Sequence, residues 1–208
     1  MSATLIRRIV DLFIAIFVIA GLLGVFQALT STADGGFGTI SWPVQAASVS
    51  DQLQLNGNAV IDFDDGQLVA SGQPIAHALD LAVELGTLVI FIAALLALRS
   101  VLVRFAEGAF LAEENIAALR KIGRLLMIIC GISIVHVLVM QPLILSAIEM
   151  PSDMVLHPSV SWDVDGVKNI WLHYSPPIFT FMLGGLALLF SKALMVGSAY
   201  QEDSEKVV

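Results

Sequence analysis

Four side chains are of the right type and spacing for proton or ion chemistry. His136 lies near the middle of an apolar run, with Met140 one helical turn on and Gln141-Pro142 after it. That setting suits proton transfer or contact with a soft metal. An ionisable group at membrane depth is costly and is a functional hypothesis by default, although a neighbouring helix can also satisfy a neutral imidazole. His77, Asp80 and Glu84 are spaced by three and four, which puts them on one helical face. Such a face could bind a cation, with His157 or His173 reaching in from a later segment. Acids at a helix N-terminus are equally favoured by the macrodipole. No motif that would carry a catalytic mechanism is present, so neither an enzyme nor a bound cofactor is expected. The single cysteine, Cys130, allows no internal disulfide and no cysteine zinc site, and reads as a small buried hydrophobe.

The elements that must position these residues follow from composition. Hydrophobic residues make up 57% of the 208 and charged ones 13%, against roughly 45–50% apolar and about 25% charged in an average soluble domain. Lipid can accommodate that much apolar surface where a soluble core of this size cannot. Runs near residues 9–30, 79–103, 125–148 and 177–197 have the length and polarity of helices crossing roughly 30 Å of hydrocarbon. They should be helical, because in lipid each backbone amide must find its partner within the segment. The apolar stretch from Leu12 to Leu29 exceeds the roughly 7–15 residues of a signal core, so the first run reads as a retained anchor.

Charge placement orients these spans. Arg7 and Arg8 precede the first; Arg99, Arg104, Arg120, Lys121 and Arg124 surround a middle loop at about 104–124; Lys192 and Lys206 lie at the end, with a tail at about 198–208. Nine of the ten basic residues thus share one side and only Lys168 lies on the other, which by the positive-inside rule makes both termini and the loop cytoplasmic. The formal net charge of −8 argues against direct nucleic-acid binding, which needs clustered Lys and Arg. Asp11 reads as an interfacial ion pair with Arg7 and Arg8, while Gly21, Gly24, Gly184 and Gly185 offer close helix contacts.

The segments at about 31–78 and 149–176 fall outside the membrane under this orientation. Gln52-Leu53-Gln54-Leu55 alternates, Asn56-Gly57 is a hairpin signal, and Ala59 to Phe63 and Gln67 to Ala70 continue the pattern, predicting a small β-meander. Val160-Ser161-Trp162 and Ile170-Trp171-Leu172 flank Asp163-Val164-Asp165-Gly166 in the same manner, and because sheets of two or three strands are marginal alone, the two segments should pair. Turn chemistry accounts for Asp62, Asp64, Asp65, Asp163 and Asp165, whose spacing matches no EF-hand loop. The expected fold is all-α transmembrane, a four-helix bundle with a small external β-rich cap.

The middle loop carries the most distinctive pattern. Gly108 is placed to end the second helix, Glu113 and Glu114 suit the first turn of the third, and Ile116, Leu119 and Ile122 share one stripe. The third helix should therefore begin before the bilayer. Gly108, Phe110, Glu114, Asn115, Leu119, Arg120, Ile122 and Gly123 resemble the signature of a family of small bacterial four-helix membrane proteins known only as a domain of unknown function. Where members of that family often place Pro before the Phe, this chain has Ala109, and Leu111 and Ala112 follow it. Relatives in the family are often encoded beside a small helix-turn-helix regulator, so the resemblance implies a cytosolic DNA-binding partner and a bacterial inner-membrane location. The leading expectation is a non-enzymatic sensor or anchor acting with that regulator. A small transporter or ion-binding protein centred on His136 and the His77, Asp80, Glu84 face stays open, as do a structural subunit of a membrane complex and a homo-oligomer.

Overall fold

The computed structural model describes residues 3–30, 38–46, 53–55, 59–62, 67–148, 154–158 and 168–205. Its helices are α1 (Ala3–Thr30), α2 (Pro74–Ala106), α3 (Glu113–Ala147) and α4 (Ile178–Glu205). All four are long and apolar enough to cross a membrane. Each outruns the apolar stretch expected from sequence, because the helical hydrogen-bond ladder continues into flanking polar residues. The third begins at Glu113 with two acids in its first turn, well before its apolar section, as the loop pattern predicts.

The chain divides into two compact units, one of residues 1–24, 85–133 and 177–208, the other of residues 25–84 and 134–176. In the first, Val101 from α2 packs with Ile122, Leu126 and Ile129 from α3, and Ala187 of α4 joins them. α1 meets α2 through an edge-on contact of Phe17 with Phe91, ring centroids 5.2 Å apart. Asp11 makes its closest contact across to α2: the Arg99 guanidinium grips both carboxylate oxygens, Nη2 to Oδ2 at 3.1 Å, while Arg7 stands off at 4.0 Å. The expected pair with Arg7 is thus present, and Arg99 adds the closer contact, because its fork matches a carboxylate and ties two helices together.

The second unit is built on a six-stranded sheet in the order β2-β3-β4-β1-β6-β5. Its strands are β1 (Ile40–Ala46), β2 (Leu53–Leu55), β3 (Ala59–Asp62), β4 (Gln67–Ala70), β5 (Met154–His157) and β6 (Lys168–Leu172). The expected meander is present as β2-β3-β4, and the two segments do pair, through β1 and β6. The later strands lie at β5 and β6, running parallel; Asn56-Gly57, Asp64-Asp65-Gly66 and the expected strand at 160–162 lie outside the described residues. β1 is the strand the sequence conceals, since Pro43 interrupts its apolar alternation. The proline sits where β1 changes partner, pairing with β4 from Ile40 to Pro43 and with β6 from Val44 to Ala46.

Alternation along β1 and β4 turns Ile40, Trp42, Val44, Leu68 and Ala70 to one buried face. That face packs on Ala76 of α2 and on Val137, Met140, Ile144 and Ile148 at the end of α3 and just beyond it. Sheet and helix ends therefore share one core within this unit.

Of the glycines expected at helix contacts, Gly21 faces Leu88 and Gly184 faces Leu126 and the Gly123 carbonyl, while Gly24 and Gly185 have no neighbour within 4 Å. The tight contact falls instead at Gly123, where an added Cβ would sit 2.6 Å from Leu188 Cγ and 2.9 Å from the Gly184 carbonyl oxygen. Overpacking costs about 1–3 kcal/mol, so Gly123→Ala should melt several degrees below the parent in detergent. Gly131→Ala, at a position with open space around it, should hold or raise the melting point, since replacing a helical glycine gains about 0.5–1 kcal/mol. A Gly123→Ala protein as stable as the Gly131→Ala protein would contradict this packing.

Candidate functional site

Two constellations stand out, one in each unit. In the sheet-bearing unit, α3 presents His136 and the first turns of α2 present His77, Asp80 and Glu84. His136 Nε2 lies 3.0 Å from Asp80 Oδ1, with the imidazole 16% exposed and the carboxylate 33%, so the pair is only partly shielded from its surroundings. On its other side the His136 ring tilts against Trp42, centroids 6.1 Å apart. Trp42 is held in turn by its indole N–H, which donates to the His173 carbonyl at 3.2 Å. Carboxylate, imidazole and indole thus form a short chain from α2 through α3 into β1.

The neighbouring candidates have different settings. His77 Nδ1 is 3.0 Å from the Thr39 carbonyl oxygen, the natural acceptor for a ring N–H. Glu84 is exposed but remains within electrostatic range of Asp80, His136 and His77. His157 is buried, and His173 is exposed with its backbone N–H donating to Pro43 O at 2.8 Å. Among the described residues, no three His, Cys, Asp or Glu side chains come together as a group able to hold a metal ion. What the site offers is an acid and an imidazole 3.0 Å apart, with the imidazole Nε2 not aligned for a hydrogen bond to that carboxylate. Sequence spacing grouped Asp80 with its helical neighbours, but could not reveal Trp42, whose strand is hidden by Pro43; the Ile40-Ser41-Trp42 alternation was the available signal.

The second constellation is the loop between α2 and α3. Gly108 adopts a φ of +83°, a left-handed conformation that disfavours a Cβ. Its N–H donates to Phe105 O at 3.1 Å and that of Ala109 donates to Arg104 O at 3.0 Å. This pair of bonds is the Schellman closure that satisfies the last carbonyls of a helix. Ala112 then stands at the cap position of α3 without a side-chain acceptor, and its carbonyl accepts the N–H groups of Asn115 at 2.9 Å and Ile116 at 3.4 Å.

Asn115 fixes the turn from inside. It is fully buried, and its Nδ2 donates to the Ala109 carbonyl and, at 3.3 Å, to that of Phe110. Its Oδ1 has no partner among the described residues. Clamped in this way, the loop holds Phe110 54% exposed, its ring leaning on Phe105 at 5.3 Å. The remaining motif residues serve packing or display. Leu119 and Ile122 join the helix core, Gly123 admits α4, Glu114 is exposed in the first turn, and exposed Arg120 reaches Met195 Sδ at 3.7 Å. Ser191, missed by sequence reasoning, is buried and donates to the Ile116 carbonyl at 3.1 Å, tying α4 to the first turns of α3. Cys130 is buried as expected.

No protein-family model matches this chain, and no curated protein or solved structure matches it significantly.

Asn115→Ala removes the donors that hold two loop carbonyls, a loss of about 1–3 kcal/mol for buried polar groups left unpaired. Its unfolding midpoint should fall accordingly, and limited proteolysis should cut faster between Gly108 and Ala112. Wild-type stability and wild-type cleavage would remove the clamp from the account.

Proposed function

We propose that this chain is a non-enzymatic membrane sensor. Its four helices cross a bacterial inner membrane as a bundle, with both termini and the Gly108 to Ala112 loop in the cytoplasm and the sheet outside. The observation that carries the reading is the shared core of sheet and helix ends, with Trp42 of β1 against His136 and His136 against Asp80. Anything that binds the sheet or shifts β1 would act on the His136–Asp80 contact between α2 and α3, and a ligand biases an equilibrium only through such differential contacts. The cytoplasmic output is the Asn115-clamped loop, which presents an exposed aromatic on a fixed backbone, a feature suited to docking a protein. The partner is a small cytosolic helix-turn-helix regulator, a reading supported by the resemblance of the loop motif. Orientation is supported by the nine basic residues on one side.

The His136–Asp80 contact also favours a second reading, a small proton-coupled transporter or ion-binding protein. Intramembrane acid–imidazole pairs serve proton relays, and the two readings differ in what the pair must do. In a sensor it needs only to hold or release. In a transporter it must turn over.

Affinity purification from native membranes should recover a cytosolic protein with the parent chain and lose it with Phe110→Ala, while the Phe110→Ala protein remains in the membrane at normal abundance. Identical recovery from both would defeat the docking role of Phe110. In proteoliposomes, His136→Gln and Asp80→Asn should leave passive proton flux unchanged; a drop to background would favour the transporter.

A further inference from the structure

A groove of about 460 Å³ opens between α2 and α3 in the unit that holds the loop. Its walls are made by Ala93 and Ala97 of α2 and Ala117 and Ala118 of α3, whose small side chains leave a channel between two long helices. Arg104 and Lys121 stand along the same groove with Glu114 and Ser100. Among the described residues neither cation is within ion-pair distance of a carboxylate. An apolar slot lined partly by unpaired guanidinium and ammonium groups, in a helix pair of membrane-spanning length, has the chemistry of a lipid site rather than of a soluble ligand.

We infer that this groove binds one anionic glycerophospholipid, an acyl chain lying along the alanine walls and the phosphate held between Arg104 and Lys121. The inference rests on the bilayer placement proposed above. Charge complementarity selects the occupant: two cations against the single carboxylate of Glu114 leave a net positive site, which suits a headgroup whose phosphate is not balanced by its own amine. Arg104 offers the fork that matches phosphate oxygens, and Lys121 adds a point charge from the facing helix. Because Glu114 and Arg104 also border the Asn115-clamped loop, an occupied groove would brace that loop.

The test is native mass spectrometry of the full chain released from phosphatidylcholine nanodiscs doped with phosphatidylglycerol. The parent should retain one phosphatidylglycerol. Arg104→Gln with Lys121→Gln should weaken retention about thirtyfold, given roughly one kcal/mol for each basic side chain near a lipid surface. Ala117→Trp should block the groove, and Glu114→Gln should tighten binding, a gain that a misfolded protein would not give. Arg124→Gln, at a position that does not line the groove, should bind as the parent does. Equal retention by all variants, equal retention of phosphatidylethanolamine, or binding of inorganic phosphate without lipid would each overturn the proposal. Flotation of every variant with vesicles reports bilayer placement separately, so a chain that floats but binds no phosphatidylglycerol refutes the groove alone.

Discussion

A polar group surrounded by hydrocarbon has no water to fall back on, and four helices of this chain are long and apolar enough to face that constraint. Four apolar segments meet it by becoming helices. Within the apolar sections, Ser100 and Ser146 each turn the hydroxyl back to a carbonyl three residues earlier on the same helix. Ser191 does the same across helices, to the Ile116 carbonyl. Arg99 grips Asp11 across α1 and α2, and Asp80 stands 3.0 Å from His136 across α2 and α3, without a hydrogen bond at the imidazole Nε2. Polar contacts therefore help to specify which helices are neighbours, while the apolar side chains, being compatible with lipid as well as with one another, specify it far less.

The same constraint separates structural from functional polar residues. Asn115 and Gly108 finish helix ends and shape a turn, and their cost is recovered in backbone hydrogen bonds. Among the described residues, the His136 and Asp80 side chains complete no backbone bond. They touch one another and, through Trp42, the sheet. A helix core can be closed with apolar residues of similar volume, often at no loss of stability, so an ionisable pair at this position is what the proposed sensor would use to carry events at the sheet to α2 and α3.

Much of the architecture was legible in the sequence because it depends on local pattern. Helix existence follows from run length, the start of α3 from Glu113 and Glu114, and the meander from alternation between Leu53 and Ala70. What was not legible depends on contacts between distant residues. Asp11 lies next to Arg7 and Arg8 in sequence yet is held by Arg99, 88 positions away. β1 was masked by Pro43, which breaks a local rule at the point where the strand exchanges one neighbour for another. His136 could be recognised as anomalous from its surroundings, but its partner had to be chosen among His77, Asp80 and Glu84, and helical spacing makes those equivalent. The loop motif was visible as a pattern, whereas the inward turn of Asn115 and the outward turn of Phe110 needed the geometry.

The central claim is that the His136–Asp80 contact couples the sheet to the helices. Amide hydrogen exchange in lipid nanodiscs measures this directly, comparing the parent chain with Asp80→Asn. The account predicts faster exchange in β1 and β4, together with the His136 turn of α3, and unchanged protection around the Asn115 loop. If β1 and β4 keep their full protection when the carboxylate is removed, the pair does not couple sheet to helix and the sensing mechanism is wrong.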